Sequence, residues 1–257
     1  MQVTTPSGTV ADPSASRRPL PFIPDTGAEE QNARRILAVC RHFSTRPLET
    51  LTVLELRAGA GLMSECFAAT FKSVIAVDTD RPGLALGRRL SRRENIVHIC
   101  ADSCELGLAD GSVDVVICDR VIEHVSEPLR LLDEIYRVLR YDGFCHFEAS
   151  SKHAVIERNY FLPFLSWLPR LLSELYLKLS GRKGGYNLAF PSLSQLNRLT
   201  GNFWRHDYTW MIRKNPEAFE ADDTIKAGGV GTRLTLAMFK QFYPFLPTWV
   251  WVLTKRK

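Results

Sequence analysis

Five short apolar runs, most of them separated by helical patterns, restrict this chain more than any other feature. The runs are Thr52–Leu56, Ser73–Val77, Asn95–Cys100, Val113–Cys118 and Phe144–Ala149. Helical patterns fill Leu62–Phe71, Pro82–Arg92 and Pro128–Leu139. Two of these open on proline, whose missing N–H costs nothing in the first turn. Near-continuous apolar runs suit parallel strands covered on both faces, and right-handed crossovers then put helices on the two sides of one sheet. The pattern predicts an α/β fold, a Rossmann-like three-layer sandwich. Asp142-Gly143 is expected to turn the chain into the fifth strand.

The flanks complete the layout. The first 27 residues, rich in Pro, Ser and Thr and without the apolar stretch of a secretory signal, are expected to be a disordered leader. A helix is expected over residues 29–44, with Ile36, Leu37 and Val39 on its apolar face. After residue 150 the alternation stops, and residues 151–190 hold no clear strand. Phe161–Leu179 is strongly apolar, with Ser166, Arg170, Glu174 and Lys178 recurring every fourth residue as one polar stripe on a helix that Pro163 and Pro169 interrupt or start. A helix at 192–200, a strand at Phe203–Thr209, a helix at 231–243 and a last strand at Thr248–Thr254 follow. The expectation is one domain, 28–257, with a seven-stranded, mostly parallel sheet and a helical cap at 151–190 inserted after the fifth strand. No run reaches the roughly 18–20 apolar residues of a membrane span.

The chemistry concentrates at strand ends. Glu55 lies in the first strand, just before a turn with Gly59 and Gly61, and a helix begins at Leu62. Glycines let backbone approach a ligand, and N–H groups at a helix start face it, so the turn is either a nucleotide site or an ordinary strand-to-helix turn. The third glycine of a dinucleotide fingerprint is replaced by Ser64. Asp78 ends the second strand, where a carboxylate can accept both ribose hydroxyls or, with Asp80, cap the helix that begins at Pro82. Asp102-Ser103 ends the third strand and offers an acceptor to an adenine amine or forms an Asx turn.

Taken in order, these residues resemble the class I S-adenosylmethionine-dependent methyltransferases, especially their small-molecule subgroup. Val53-Leu54-Glu55-Leu56-Arg57-Ala58-Gly59-Ala60-Gly61 is similar to that family's glycine-rich motif, and Ala109-Asp110-Gly111-Ser112-Val113-Asp114-Val115-Val116-Ile117-Cys118 to its fourth-strand motif. Val121-Ile122-Glu123-His124-Val125 and Glu134–Phe144 continue in register, so the likeness covers residues 51–149. It implies S-adenosylmethionine as cofactor, held by Glu55, Arg57, Gly59, Gly61, Asp78, Thr79, Asp102, Ser103 and Asp119. Arg57 departs from the pattern, because the family carries a glycine there. The arginine either salt-bridges the cofactor's carboxylate or crowds the pocket.

The implied function is transfer of a methyl group to a small-molecule acceptor, an oxygen of a sugar, lipid-linked precursor or secondary metabolite. The alternative is a non-catalytic S-adenosylmethionine-binding partner or regulatory protein, which Arg57 favours. His124 and His153 are the candidate bases, each weighed against a packing role, and His146 is expected to be packed in its strand. The 151–190 cap, with Phe161, Phe164, Trp167 and Tyr176, is expected to roof the acceptor. The competing reading is peripheral membrane contact through 161–179.

Composition excludes two further classes. Lys and Arg number 33 against 28 Asp and Glu, a net charge of +5 without a dense basic tract, so no nucleic-acid partner is expected. None of the six cysteines forms a CxxC pair and no Cys/His set has zinc spacing, so no metal is expected. A reducing, cytoplasmic compartment is the simpler reading.

Overall fold

β1 (Thr52–Leu56), β2 (Ser73–Asp78), β3 (Ile96–Cys100), β4 (Val113–Asp119) and β5 (Leu139–Ser150) pair in parallel in the order 3-2-1-4-5. β7 (Thr248–Lys255) joins β5 antiparallel, and β6 (Phe203–Asp207) closes the edge antiparallel to β7. This is the expected seven-stranded, mostly parallel sheet. A computed structural model describes residues 26–152, 156–157, 162–163, 165, 168, 170–180, 190–221 and 243–256 of the chain. The leader up to residue 25, His153, Phe161, Phe164, Trp167 and, except for Tyr243, the helix expected over 231–243 lie outside them.

Alternation along the central strands makes two cores. Val116 and Cys118 of β4 face α4 (Pro128–Val138), where Leu131, Leu132 and Ile135 are fully buried. Val115 and Ile117 face the other way, toward α1 (Thr26–Phe43) and α2 (Leu62–Ala68), against Ile36, Val39 and Phe67. α3 (Arg81–Leu90) carries Pro82 in its first turn, as expected. Both faces of β4 are thereby covered, and all seven of its residues are buried. Its near-continuous apolar run has this physical origin.

Four expectations need correction. Asp142-Gly143 does not turn the chain; it lies within β5, where a register shift sets Leu139 to Phe144 against only Val113 to Val115. The turn signature is absorbed as a bulge. The sixth strand stops at Asp207, whose carboxylate accepts the Thr209 N–H at 2.9 Å and caps a helix, α7 (Tyr208–Lys214), that the strand pattern hid. Residues 151–190 do contain strand, a two-residue antiparallel pair of Ile156–Glu157 with Leu162–Pro163. The helix expected from Phe161 is therefore only α5 (Arg170–Leu179).

α5 also faces the wrong way for a helix apolar all round. Ser173 and Leu177 are buried, with Leu177 packing against Leu165, while Leu172, Leu175 and Leu179 are exposed. Among the described residues no helix is long and apolar enough to cross a membrane. The helix at 192–200 is α6 (Leu193–Leu199), opened by a capping box in which Ser192 and Gln195 satisfy each other's backbone N–H groups.

Candidate functional site

The order 3-2-1-4-5 reverses direction between β1 and β4, and a crevice opens at the carboxyl ends of strands flanking such a point. Here it is a cleft of about 440 Å³ lined by Glu55, Gly59, Asp78, Asp119 and Glu123 among others. A second cavity of about 230 Å³, lined by Thr79, Asp102, Ser103 and Val125, lies beside it. Arg57 and His124 line both.

The turn after β1 coils through three left-handed residues, Arg57 (φ 59°), Gly59 (φ 55°) and Gly61 (φ 76°). Glycine adopts this conformation freely, whereas a side chain there costs roughly 1–2 kcal/mol. A Cβ placed on Gly59 would meet nothing within 4 Å, so the turn presents bare backbone to open space.

Asp78 holds this turn in place. Its Oδ2 accepts the Gly59 N–H at 2.8 Å and its Oδ1 accepts the Asp80 N–H at 2.8 Å. The carboxylate thus staples the loops after β1 and β2 together. It does not cap α3, whose N-cap is Asp80 without a side-chain hydrogen bond. Each oxygen keeps a further lone pair. Asp102 forms the Asx turn, accepting the Cys104 N–H on Oδ1 at 2.8 Å, and with Ser103 it still lines the smaller cavity.

Beneath the turn, Glu55 is buried. The Ser64 hydroxyl donates to its Oε2, and its Oε1 has no partner among the described residues. Serine at the third glycine position therefore ties the first turn of α2 to β1. Burial pushes the Glu55 carboxyl up to about 8, so it is protonated at neutral pH.

The far wall comes from the end of β4. Asp119 accepts from Asn32 Nδ2 at 2.6 Å and from Arg120 Nε at 3.2 Å. Burial opposes its ionisation, but the Arg120 charge and these bonds outweigh it and hold the carboxyl below its usual range. Arg120, like Arg57, is left-handed (φ 53°). Glu123 is buried, accepts the Ser150 N–H at 2.6 Å, and is pushed up to about 7 by burial. Burial and the charges of Arg57 and Arg120 push the His124 imidazole down to about 4, so it is neutral at pH 7. His146 is packed within β5 and pushed down to about 4 by burial.

The structure thus brings Glu55, Arg57, Gly59, Asp78, Asp119 and His124 to one cleft, and Thr79, Asp102 and Ser103 to the cavity beside it. Gly61 faces His98 at the start of α2. Three further groups escape sequence reasoning. Glu29 lines the cleft from α1, Asn32 reaches Asp119 from the same helix, and Arg120 pairs with Asp119, while Glu123, part of the motif at 121–125, is buried on the cleft wall. No local signal marks Glu29 or Asn32. The apolar Val121-Ile122 preceding Glu123 is the one available hint. None of the described residues of 156–180 lines either cavity.

Residues 54–147 match the family model of the methyltransferase domain. A probable S-adenosylmethionine-dependent methyltransferase of Mycobacterium tuberculosis is 37% identical over 121 residues, 47% of this chain and 43% of that protein. A demethylmenaquinone methyltransferase of Clavibacter sepedonicus is 32% identical over 130 residues, 49% of this chain and 53% of that one. The chain spans about half the length of these curated relatives. Among solved structures, the plantazolicin methyltransferase in complex with S-adenosylhomocysteine shares the fold, with a TM-score of 0.57, 16% identity, and cover of 90% of this chain and 85% of that one.

Proposed function

We propose that the chain is a class I S-adenosylmethionine-dependent methyltransferase that transfers a methyl group from S-adenosylmethionine to a small-molecule acceptor. The observation that carries the reading is the stapled turn: Asp78 fixes bare glycine backbone at the mouth of the cleft and keeps lone pairs of its own. The residues present fit the cofactor. Asp78 offers acceptors to ribose hydroxyls, Thr79, Asp102 and Ser103 line the smaller cavity for adenine, and the orphaned Glu55 Oε1 marks a polar floor under the larger one. Arg57 and Asp119 face the amino-acid end. S-adenosylmethionine supplies a methyl group activated on a sulfonium.

The protein's own task is to orient the acceptor and take its proton. A general base works best when its pKa lies near the working pH. Glu123, at about 7, meets that condition, and His124, at about 4, does not. We therefore place Glu123 as the base and His124 as a neutral wall between the cavities. The Ser150 N–H anchors the Glu123 carboxyl at the end of β5, on the wall of the cleft. A base of this strength suits a hydroxyl, so the acceptor proposed is an oxygen of a sugar, lipid-linked precursor or secondary metabolite. A relative named for demethylmenaquinone supports a small molecule. All six cysteines are free thiols, which fits a reducing, cytoplasmic compartment.

The test is methyl transfer from labelled S-adenosylmethionine to a panel of small hydroxyl compounds. Transfer should rise through pH of about 7 as Glu123 ionises, and Glu123→Gln should lower it by about a hundredfold or more. Cofactor binding without transfer to any acceptor would instead favour the non-catalytic alternative.

A further inference from the structure

Arg57 combines two features at the cleft. Its backbone is left-handed, φ 59°, where glycine would be free of strain. Its guanidinium lines both cavities yet makes no ion pair or hydrogen bond among the described residues. Strained backbone at a cleft is characteristic of ligand clamps, where the surroundings hold a side chain ready for a partner.

The charges around it say what that partner is. Asp78, Glu123 and Asp119 act on Arg57 from the cleft walls, but none closes on it. The other guanidinium of the cleft, Arg120, is committed to Asp119 at 3.2 Å. Glu29 and Asp80 add two further carboxyls to the lining. The cleft is thus walled mainly by acids, which suits the sulfonium and ammonium of the cofactor but repels its carboxylate. Arg57 is the guanidinium there with its donors unmade, and its planar fork matches a carboxylate through two parallel hydrogen bonds.

We propose that Arg57 binds the amino-acid carboxylate of S-adenosylmethionine, a contact that glycine at this position cannot make. The proposal rests on the cofactor reading above. It makes the departure from the family pattern a part of the binding site and assigns the strain a purpose.

Calorimetry on the full chain tests it with S-adenosylhomocysteine and the analogue of it lacking only the carboxyl group. The unaltered protein should prefer S-adenosylhomocysteine by about tenfold or more, the scale of a hydrogen bond to a charged group. Arg57→Met should weaken S-adenosylhomocysteine by about tenfold or more and leave the decarboxylated analogue within about twofold, erasing the preference. Arg57→Lys, which keeps the charge and loses the fork, should fall between. Circular dichroism checks the fold, and Arg57→Gly supplies the same comparison should the methionine variant not fold. If Arg57→Met binds S-adenosylhomocysteine as tightly as the unaltered protein or more so, or if both ligands shift equally, Arg57 only crowds the cleft and the proposal is wrong. If the folded, unaltered protein binds neither ligand, the cofactor reading itself falls.

Discussion

Glu55 shows how one residue couples the site to stability. Its carboxyl ionises at 4.5 in the unfolded chain and at about 8 when buried beneath the turn. Between those values the folded state holds a proton that the unfolded state has lost. Stability therefore falls as pH rises across that window, by up to about 1.4 kcal/mol per pH unit. Glu55→Gln keeps the shape and removes the ionisation. Urea denaturation at pH 5 and pH 9 should show the variant losing less stability between the two than the unaltered protein; equal losses would refute the assignment. Gly59 and the Asp78 that holds its turn were legible because their chemistry needs a residue type at a fixed offset. The raised pKa of Glu123 was not, because it arises from burial against a strand whose Ser150 lies 27 residues away in the chain. The left-handed geometry of Arg57 was equally hidden, since only its departure from a glycine showed in the letters.

At the scale of elements, the site depends on how closely α3 approaches the glycine turn. A Cβ on Gly87 would lie 2.8 Å from the Ala60 carbonyl oxygen and 3.3 Å from His98 Nε2. Glycine to alanine within a helix ordinarily stabilises by about 1 kcal/mol. Here backbone meets backbone, so Gly87→Ala should destabilise by about 1–3 kcal/mol and weaken cofactor binding as α3 pushes the turn out of place. Thermal melts with and without S-adenosylhomocysteine check this, and a melting temperature equal to or above that of the unaltered protein would show that the turn yields freely. Element boundaries were readable where a strand is apolar on both faces, as in β1 to β4. They failed where a local signal was overruled by pairing. The Asp142-Gly143 signature became a bulge because β7 and β4 hold β5 on both sides. The start of α7 was masked because Phe203–Asp207 pairs along β7 until the Asp207 cap redirects the chain.

At the scale of the whole molecule, the sheet order places Glu55, Asp78, Asp119 and Glu123, which come from three separate stretches of sequence, around one cleft. α1, outside the span of the family motifs, lends Glu29 to the same cleft and holds its Asp119 through Asn32. Binding is therefore a property of the assembled domain, and it tests the central claim most directly. Titration calorimetry of the intact chain with S-adenosylmethionine should show one site per chain, and Asp78→Ala, which cuts the staple and removes the hydroxyl acceptors, should weaken it by about tenfold or more. Absence of binding at millimolar cofactor by folded protein would contradict the account.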